Sequence, residues 1–350
     1  MEAKAAVLMD GASGRILYAK NAHLPLPPAS TTKIMTAILA LENGQLGDRV
    51  RVSRRAAETA EASIWLEEGE ELSLEDLLYA LLLQSANDAA VAIAEHIGGS
   101  QEEFVALMNR RARELGARQT HYANPHGLDD PQHYSTAYDL AVLARHALAL
   151  PDFRRFVSTP KKTIPWPGHP WDRVLHNRNR LLQGSEAYPG AIGVKTGYTQ
   201  KAGSCLVAAA RRNNLELIAV VLNSPNMYQE IKSLLDYGFA CYQPTLVAAG
   251  NEHLAVLPVS RGKARRVGIV PEKDVLVALR PGEERRLITV LTLPERLEAP
   301  ISRGQVVGKL QVRLGDEALT TVDLVAGKTV SRRSFWSYFV EALLSIFSLG

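Results

Sequence analysis

The segment SLEDLLYALLLQ, residues 73–84, constrains the fold most because it is apolar on nearly every face. Ser73 is a good helix N-cap, and an acidic residue follows three positions later, which predicts a helix that begins here. The residues that make it apolar are Leu77, Leu78, Ala80, Leu81 and Leu82. A helix without a polar face is buried. We therefore expect this helix inside a domain large enough to surround it.

The periodicity of the flanking sequence predicts an α+β domain over residues 1–243. A β-hairpin is expected from Ala5–Met9 and Arg15–Ala19, because the turn sequence DGASG separates these two short strands. Helical spacing begins after Pro28. Further helices are expected at 88–97, 101–115, 136–148 and 226–241, and strands at 192–196, 204–210 and 215–222. An antiparallel sheet made from both ends of this region would face a cluster of helices.

The chain beyond residue 250 has a different pattern, which predicts a small all-β domain at 250–325. Short apolar runs alternate there with Gly and Pro turns. These runs are Val267–Val270, Val275–Leu279, Arg286–Leu291 and Gln305–Arg313. A chain of 350 residues, 46% of them hydrophobic, is long enough for two such cores.

Residues 331–350 are predicted to form an amphipathic helix that lies on a membrane surface. Apolar and aromatic residues cover most of it, Arg332 and Arg333 precede it, and one polar stripe consists of Ser334, Ser337, Glu341, Ser345 and Ser348. Basic residues beside an apolar face suit anionic lipid. The alternative is a helix docked on its own domain or on a second copy. The sequence contains no run of 18 apolar residues that would cross a bilayer.

Charge and cysteine content argue against several function classes. Forty basic and 37 acidic residues are mixed along the chain, with a net charge of +3, and this gives no indication of nucleic-acid binding. Cys205 and Cys241 do not form a C-x-x-C pair, so we expect two buried free thiols, with one disulfide as the alternative in an exported protein. The sequence begins without a leader, which fits either a cytosolic protein or a removed export signal.

The stretch PPASTTKIM places Ser30 three residues before Lys33 at the expected start of a helix. Residues at this spacing share a helix face. A serine hydroxyl is a poor nucleophile unless a base takes its proton, and lysine is a base only where burial or a neighbouring positive charge keeps it neutral. The helix start would also stabilise an oxyanion. The alternative is an N-cap serine followed by a solvated lysine.

Two further motifs strengthen the catalytic interpretation. Ser85-Ala86-Asn87 follows the apolar helix, where a hydroxyl can pass a proton and an amide can orient Lys33 or hold a substrate amide. The alternative for this motif is a helix cap at Asn87 or Asp88.

Lys195-Thr196-Gly197 ends a predicted strand whose edge can pair with an extended peptide. Lys195 and Thr196 can meet a carboxylate, and Gly197 allows close approach to the backbone. The charge of Lys195 would help to keep Lys33 neutral. The alternative is a strand that ends in a Thr-Gly turn.

The three motifs, S-x-x-K, S-x-N and K-T-G, occur in the order found in penicillin-binding proteins and class A β-lactamases. With their surroundings, LPPASTTKIMTA, LSLEDLLYALLLQSANDAA, NPHGLDDPQHYSTAYDLA and GVKTGYTQKAGSCLVAAA, the sequence resembles the low-molecular-mass penicillin-binding proteins, which are serine D-alanyl-D-alanine carboxypeptidases. The resemblance covers almost the whole chain. It implies a β-lactamase/transpeptidase-like domain, a small β-rich domain and a terminal anchor helix, and it implies no cofactor.

The resemblance assigns catalytic roles to three of these residues. Ser30 would be the acyl-enzyme nucleophile, Lys33 its general base and Ser85 the proton shuttle. The backbone N–H groups of Ser30 and Tyr198 would form the oxyanion hole.

The substrate-binding residues implied by the resemblance are Asn87, Lys195, Thr196, Gly197 and Tyr198. Lys195 and Thr196 would hold the terminal carboxylate of a peptidoglycan pentapeptide that ends in D-Ala-D-Ala. The implied enzyme is exported, lies on the outer face of the cytoplasmic membrane, removes the last D-Ala and is inhibited by β-lactams.

Three alternatives remain at this point. A class A β-lactamase needs a deacylating glutamate, and no E-x-x-L-N lies between Ser85 and Lys195; Ala86 also replaces the Asp of that pattern. A non-catalytic β-lactam receptor would keep Ser30 and lose turnover. A zinc carboxypeptidase would use the histidines of HYANPHGLDDPQH, but H-E-x-x-H is absent from the sequence, and we expect these side chains to be satisfied structural histidines: His121, His126 and His133.

Overall fold

The computed structural model describes residues 1–333 and divides into two compact units, Met1–Cys241 and the chain from Tyr242 onward. The helix predicted at 331–350 lies outside the described residues from position 334. Within the described residues, no helix combines the length and the apolar character needed to cross a membrane.

The first unit is built on a five-stranded antiparallel sheet in the order β2-β1-β9-β8-β7. Its first strand pairs with its last, Ala5 opposite Leu222, so the sheet is made from both ends of the unit, as the sequence predicts. Two short two-stranded sheets, β3-β4 and β5-β6, accompany it. The strands are β1 (Ala5–Asp10), β2 (Ile16–Lys20), β3 (Arg49–Arg51), β4 (Glu71–Ser73), β5 (Lys161–Ile164), β6 (Arg173–His176), β7 (Ala191–Thr199), β8 (Gly203–Arg212) and β9 (Leu215–Leu222).

Helices form the rest of this unit and confirm the predicted α+β class. They are α1 (Lys33–Asn43), α2 (Arg54–Ala57), α3 (Leu74–Tyr79), α4 (Asn87–Gly98), α5 (Gln101–Glu114), α6 (Ala137–Ala149), α7 (Pro151–Ser158) and α8 (Met227–Cys241). Shorter 3-10 turns span Ala29–Thr32 and Gly184–Glu186. Ser73 caps α3 by accepting a hydrogen bond from the Asp76 N–H at 3.0 Å, as the sequence predicts.

The apolar helix predicted at residues 73–84 is buried in the core of this unit. After Tyr79 it widens into a π-helical segment, Ala80–Gln84, and the predicted apolar residues are at most 2% exposed. A π segment frequently marks a functional site, because its extra residue changes the direction of the chain that follows. Here the chain that follows carries Ser85.

The sequence did not predict α7 or the β5-β6 pair. α7 has only eight residues, but Phe153, Phe156 and Val157 are fully buried on one face, and Pro151 occupies its first turn. Proline suits that position because its missing N–H would have no helical partner there. Both elements are short, so their periodicity extends over too few residues to be read from sequence alone.

Up to residue 333 the second unit is all β apart from one 3-10 turn, Glu283–Arg286, and this confirms the predicted small all-β domain. It contains a two-stranded sheet, β10-β13, and a six-stranded sheet in the order β14-β16-β17-β12-β11-β15. Its strands are β10 (Gln243–Ala248), β11 (Ala255–Ser260), β12 (Arg266–Pro271), β13 (Val275–Leu279), β14 (Leu287–Thr292), β15 (Leu297–Glu298), β16 (Val306–Leu314) and β17 (Glu317–Ala326). Val267, Ile269, Val312 and Leu324 lie in its core, all fully buried.

Candidate active site

Ser30 lies in the 3-10 turn Ala29–Thr32, and the α-helix begins only at Lys33. The expectation that Ser30 and Lys33 share one α-helix is therefore wrong in detail. The turn nevertheless continues directly into α1, and it brings Lys33 Nζ to 3.0 Å from Ser30 Oγ. The spacing of three residues works in both geometries, because a 3-10 turn also places residues i and i+3 on one face.

The turn that carries Ser30 is strained and held by side chains that the sequence argument missed. Ala29 has φ +49°, a region that non-glycine residues rarely occupy. The Thr31 hydroxyl donates to the Pro28 carbonyl at 2.7 Å, and the Thr32 hydroxyl donates to the Ala29 carbonyl at 2.8 Å. These bonds fix the backbone that positions the nucleophile, and such strain is typical of functional sites.

His133 supports the same turn from behind. Its Nδ1 accepts from the Ala123 N–H at 3.1 Å, so the ring proton is on Nε2, which donates to Thr32 Oγ1 at 2.8 Å. Burial lowers the pKa of His133 to about 4, which keeps the ring neutral. This histidine is a packing residue of the nucleophile turn.

A second loop packs on the turn through Gly127, which has φ +91°. A Cβ at this position would lie 1.9 Å from the Ala29 carbonyl oxygen, so only glycine fits. The preceding residue, His126, offers its backbone carbonyl to Lys33 Nζ at 2.7 Å. Burial, followed by the charge of Lys33, lowers the pKa of the His126 ring to about 3.

Lys33 is fully buried, and its side-chain nitrogen has three hydrogen-bond partners. They are Ser30 Oγ at 3.0 Å, Asn87 Oδ1 at 2.7 Å and the His126 carbonyl at 2.7 Å. Burial is the largest cause that lowers its pKa well below the ordinary value of 10.5, and the charge of Lys195 is the next. These are the conditions under which a lysine acts as a base at neutral pH.

Ser85 and Asn87 follow the π segment and point into the same site. Ser85 has a left-handed backbone, φ +63°, and its side chain is 4% exposed. Asn87 is the first residue of α4, with Ala86 as the N-cap, so the alternative of a cap at Asn87 is wrong. The Asn87 amide instead bridges Lys33 and the carbonyl of Ala60, to which its Nδ2 donates at 2.9 Å.

Asp88 is not a cap either, because its carboxylate holds the loop that passes in front of α4. It accepts hydrogen bonds from the Ser63 hydroxyl at 2.6 Å and from the backbone N–H groups of Ile64 and Leu66 at 3.1 Å each. The Asn87 N–H donates to the carbonyl of Ala62 in the same loop at 2.6 Å. The motif is thereby tied to both α4 and the residue 60–66 loop.

The K-T-G motif lies within β7, an edge strand of the sheet. The strand continues to Thr199, so the alternative of a strand that ends in a Thr-Gly turn is wrong. Lys195 is 1% exposed, and its Nζ donates to Ser85 Oγ at 3.0 Å and to the Thr196 carbonyl at 2.8 Å. Burial, and then the charge of Arg178, lowers the pKa of Lys195 to about 7. The two lysines and two serines of the predicted motifs are therefore joined pairwise by hydrogen bonds.

Gly197 brings β7 against the nucleophile turn. A Cβ at Gly197 would lie 3.0 Å from the Ser30 nitrogen and 3.1 Å from the Ala29 Cβ, which is closer than ordinary packing. The next residue, Tyr198, is 68% exposed at the rim. The absence of a side chain at Gly197 thus sets the distance between the strand edge and Ser30.

These residues surround a cleft of about 310 Å³. Lys33 and Lys195 lie buried beneath this cleft. The other six predicted site residues line its surface directly: Ser30, Ser85, Asn87, Thr196, Gly197 and Tyr198. The lining also includes Arg178, which the sequence argument missed because it belongs to no motif. Within residues 1–333 its guanidinium has no ion-pair partner, and its charge lowers the pKa of both lysines.

The remaining candidate residues have structural partners. His121 Nδ1 lies 2.6 Å from the Gln132 carbonyl, and the residue 1–333 segment contains no cluster of three His, Cys, Asp or Glu side chains arranged for a metal ion. Cys205 and Cys241 are both free; Cys205 is buried as expected, whereas Cys241 is only half-buried.

The α+β fold and the serine–lysine centre define a serine-type hydrolase of the penicillin-binding class. The peptidase S11 family, described as D-alanyl-D-alanine carboxypeptidase, matches residues 1–226, and the C-terminal domain of penicillin-binding protein 5 matches residues 242–332. The chain belongs to the D-alanyl-D-alanine carboxypeptidase family. The predictions of family, fold class and enzyme activity are thereby confirmed. The family implies a D-Ala-D-Ala peptidoglycan substrate and β-lactam binding.

Individual relatives match along nearly the whole chain. The D-alanyl-D-alanine carboxypeptidase DacF of Bacillus subtilis is 35% identical over 98% of this chain and 89% of its own length. Penicillin-binding protein 5 from Haemophilus influenzae has a TM-score of 0.74 at 31% identity, with 95% of this chain and 98% of that chain covered. A peptidoglycan synthesis regulatory factor (PBP3) from Streptococcus pneumoniae has a TM-score of 0.77 at 28% identity, with 95% and 100% covered.

Proposed function

We propose that the protein removes the terminal D-Ala from peptidoglycan stem peptides through an acyl-enzyme on Ser30. The observation that carries this proposal is the environment of Lys33. A neutral amine has two protons and one lone pair. The carbonyl oxygens of Asn87 and His126 take the two protons at 2.7 Å each, which leaves the lone pair for the Ser30 hydroxyl at 3.0 Å.

Acylation follows from this arrangement. Ser30 Oγ attacks the carbonyl carbon of the penultimate D-Ala while its proton passes to Lys33 Nζ. The backbone N–H groups of Ser30 and Tyr198 stabilise the oxyanion. When the tetrahedral intermediate collapses, the C–N bond breaks, and the leaving D-Ala amine receives a proton through Ser85. Water then hydrolyses the ester, with Lys33 again the base.

Recognition of the free carboxylate is assigned to Lys195, Thr196 and Arg178. Lys195, with a pKa of about 7, is only partly protonated at neutral pH. A bound carboxylate favours its charged form, so binding takes up a fraction of a proton. The Arg178 guanidinium, which has no ion-pair partner among residues 1–333, adds a second cation in the same cleft. The charge of Arg178 also lowers the pKa of Lys33 and so favours its neutral form. The same residue therefore acts on both carboxylate recognition and the protonation of the general base.

The substrate backbone is assigned to the edge of β7. An extended peptide can add to an edge strand, and its main-chain groups then pair with the strand. Asn87 would hold the amide that precedes the scissile bond, and Tyr198 would cover the peptide at the rim. We place this activity outside the cytoplasmic membrane, with residues 331–350 as a surface anchor, because that segment combines apolar residues with basic flanks.

The test follows the intact mass of the protein over time after addition of benzylpenicillin, together with release of D-Ala from a D-Ala-D-Ala peptide. The expected result is one stoichiometric adduct that persists for minutes, and peptide turnover. Both disappear in Ser30→Ala. Ser100→Ala is the matched control, because Ser100 only caps α5.

Each other outcome selects a different function. Rapid hydrolysis of the drug without an accumulated adduct favours a β-lactamase. A stable adduct without peptide turnover favours a β-lactam receptor. Peptide turnover that survives in Ser30→Ala overturns the serine mechanism.

A further inference from the structure

The second unit is positively charged, and its charge is concentrated at one end. Residues 242–333 contain 15 Lys and Arg and ten Asp and Glu, a net charge of +5, whereas the whole chain has +3. The concentration occurs where β11 turns into β12, in the loop RGKARR, residues 261–266, which contains four basic residues and no acidic one.

Backbone hydrogen bonds join this loop to the last described residues of the chain. The Lys263 N–H donates to the Ser331 carbonyl at 2.9 Å, and the Arg333 N–H donates to the Arg261 carbonyl at 2.8 Å. Gly262 and Arg332 form an isolated β-bridge between these two bonds. The basic residues of the loop therefore lie directly beside Arg332 and Arg333.

Two more basic residues lie at the same end. The Gly327 N–H donates to the Gly268 carbonyl at 2.9 Å, which places Lys328 beside the start of β12. The Arg303 N–H donates to Thr329 Oγ1 at 3.1 Å in the adjacent loop. We define the basic end by its eight residues: Arg261, Lys263, Arg265, Arg266, Arg303, Lys328, Arg332 and Arg333.

Acidic residues offset part of this charge. Glu298 pairs with Arg261 at 2.8 Å. Glu272 and Asp274 follow the opposite end of β12, about 20 Å away for a strand of six residues. Lys263 and Arg266 are exposed and make no ion pair with any residue of the described part of the chain. Their charges are therefore available to an external partner.

We propose that the basic end is a docking surface for the headgroup phosphates of an anionic lipid membrane. The chain leaves the basic end at Arg333 and continues into the sequence SFWSYFVEALLSIFSLG, which has one charged residue and is rich in aromatic and aliphatic side chains. A cationic surface beside an apolar segment combines the two components of interfacial membrane binding. This surface is separate from the cleft and acts through folded residues of the second unit.

The experiment measures binding of the full chain to vesicles by co-sedimentation, with 30% phosphatidylglycerol in phosphatidylcholine at low salt. The variant is Lys263→Gln/Arg266→Gln. Removal of two basic residues that face an anionic membrane surface is expected to weaken partitioning of the protein onto the vesicles about thirty-fold. The matched control is Arg285→Gln/Arg286→Gln, which removes the same charge from exposed residues before β14, at the other edge of the sheet.

All three proteins contain residues 334–350, so any difference between them reports on the basic end. The expected difference disappears in 0.5 M salt and on vesicles of phosphatidylcholine alone. Equal loss in both variants, or no loss in either, overturns the proposal. Tight binding to soluble polyphosphate without binding to the anionic vesicles also overturns it, because the partner would then be a polyanion and not a membrane. Equal far-UV circular dichroism spectra of the three proteins verify that the second unit, which contains all four substituted positions, is folded in each variant.

Discussion

Replacing Lys195 with methionine tests how much the buried charge of this active-site residue lowers the free energy of unfolding. Lys195 is fully buried, and its pKa falls from an ordinary value of 10.5 to about 7. Each pKa unit corresponds to about 1.4 kcal/mol. Keeping the proton on Lys195 in the folded state therefore costs at most about 5 kcal/mol at and below pH 7.

Methionine has nearly the same length and no charge, so Lys195→Met removes this cost. It also removes hydrogen bonds to Ser85 Oγ and the Thr196 carbonyl, each worth about 1 kcal/mol. We expect the inactive variant to be more stable than the wild type by about 2 to 3 kcal/mol at pH 7.

The difference in stability between Lys195→Met and the wild type should depend on pH in a defined direction. The folded protein releases the Lys195 proton near pH 7, whereas the unfolded chain retains it until about pH 10.5. The unfolded state thus binds more protons within this window, and wild-type stability rises with pH. The extra stability of Lys195→Met over the wild type is greatest at pH 7 and below and disappears towards pH 10.5. At pH 10.5 the variants differ only by the hydrogen bonds that Lys195→Met has lost.

Urea unfolding followed by tryptophan fluorescence at pH 7, 8.5 and 10 measures this difference in the first unit, which contains Trp65, Trp166 and Trp171 of the four tryptophans. A Lys195→Met variant less stable than wild type at pH 7 would refute the reasoning. So would a difference that does not change between pH 7 and pH 10.

Three further predictions concern single contacts. Arg178→Gln should raise the pKa of Lys33, so the acid limb of the benzylpenicillin acylation rate against pH moves to higher pH; an unchanged profile contradicts the assigned coupling. Gly197→Val should slow acylation about tenfold or more, because its Cβ meets the Ser30 nitrogen at 3.0 Å; stopped-flow acylation at the wild-type rate would exclude this contact as a constraint. Glu70→Ala should lower the free energy of unfolding by about 3 to 5 kcal/mol, because it leaves the Arg173 guanidinium buried without its partner; a loss below 1 kcal/mol in urea unfolding would contradict this.

Sequence alone predicted much of the fold, because the longer elements have clear periodicity. β9 and β13 occur at the predicted bounds, and α5 and α6 within one residue at each end. The turn around Ser30 could not be predicted, because its 3-10 geometry depends on Ala29 in a left-handed conformation and on hydrogen bonds from Thr31 and Thr32.

The candidate site also contains residues that the sequence predicts and residues that it does not. Its three motifs are short and local, so the sequence shows them directly, and the resemblance supplies their roles. Arg178 and the carbonyl of His126 reach Lys33 from loops distant in sequence. A backbone carbonyl also leaves no trace in residue type, so only three-dimensional structure places it beside the base.

The pairing of β1 with β9 has a consequence for how the first unit assembles. The partner of β1 in the sheet lies more than 200 residues later in the chain, so the sheet cannot close until β9 has been made. Contacts of such long range slow folding, since the loop entropy is lost before the contact forms. Until then β1, apolar over five of its six residues and fully buried in the finished sheet, stays exposed. A chaperone that shields a newly made or newly exported chain of this kind would find a binding segment in β1.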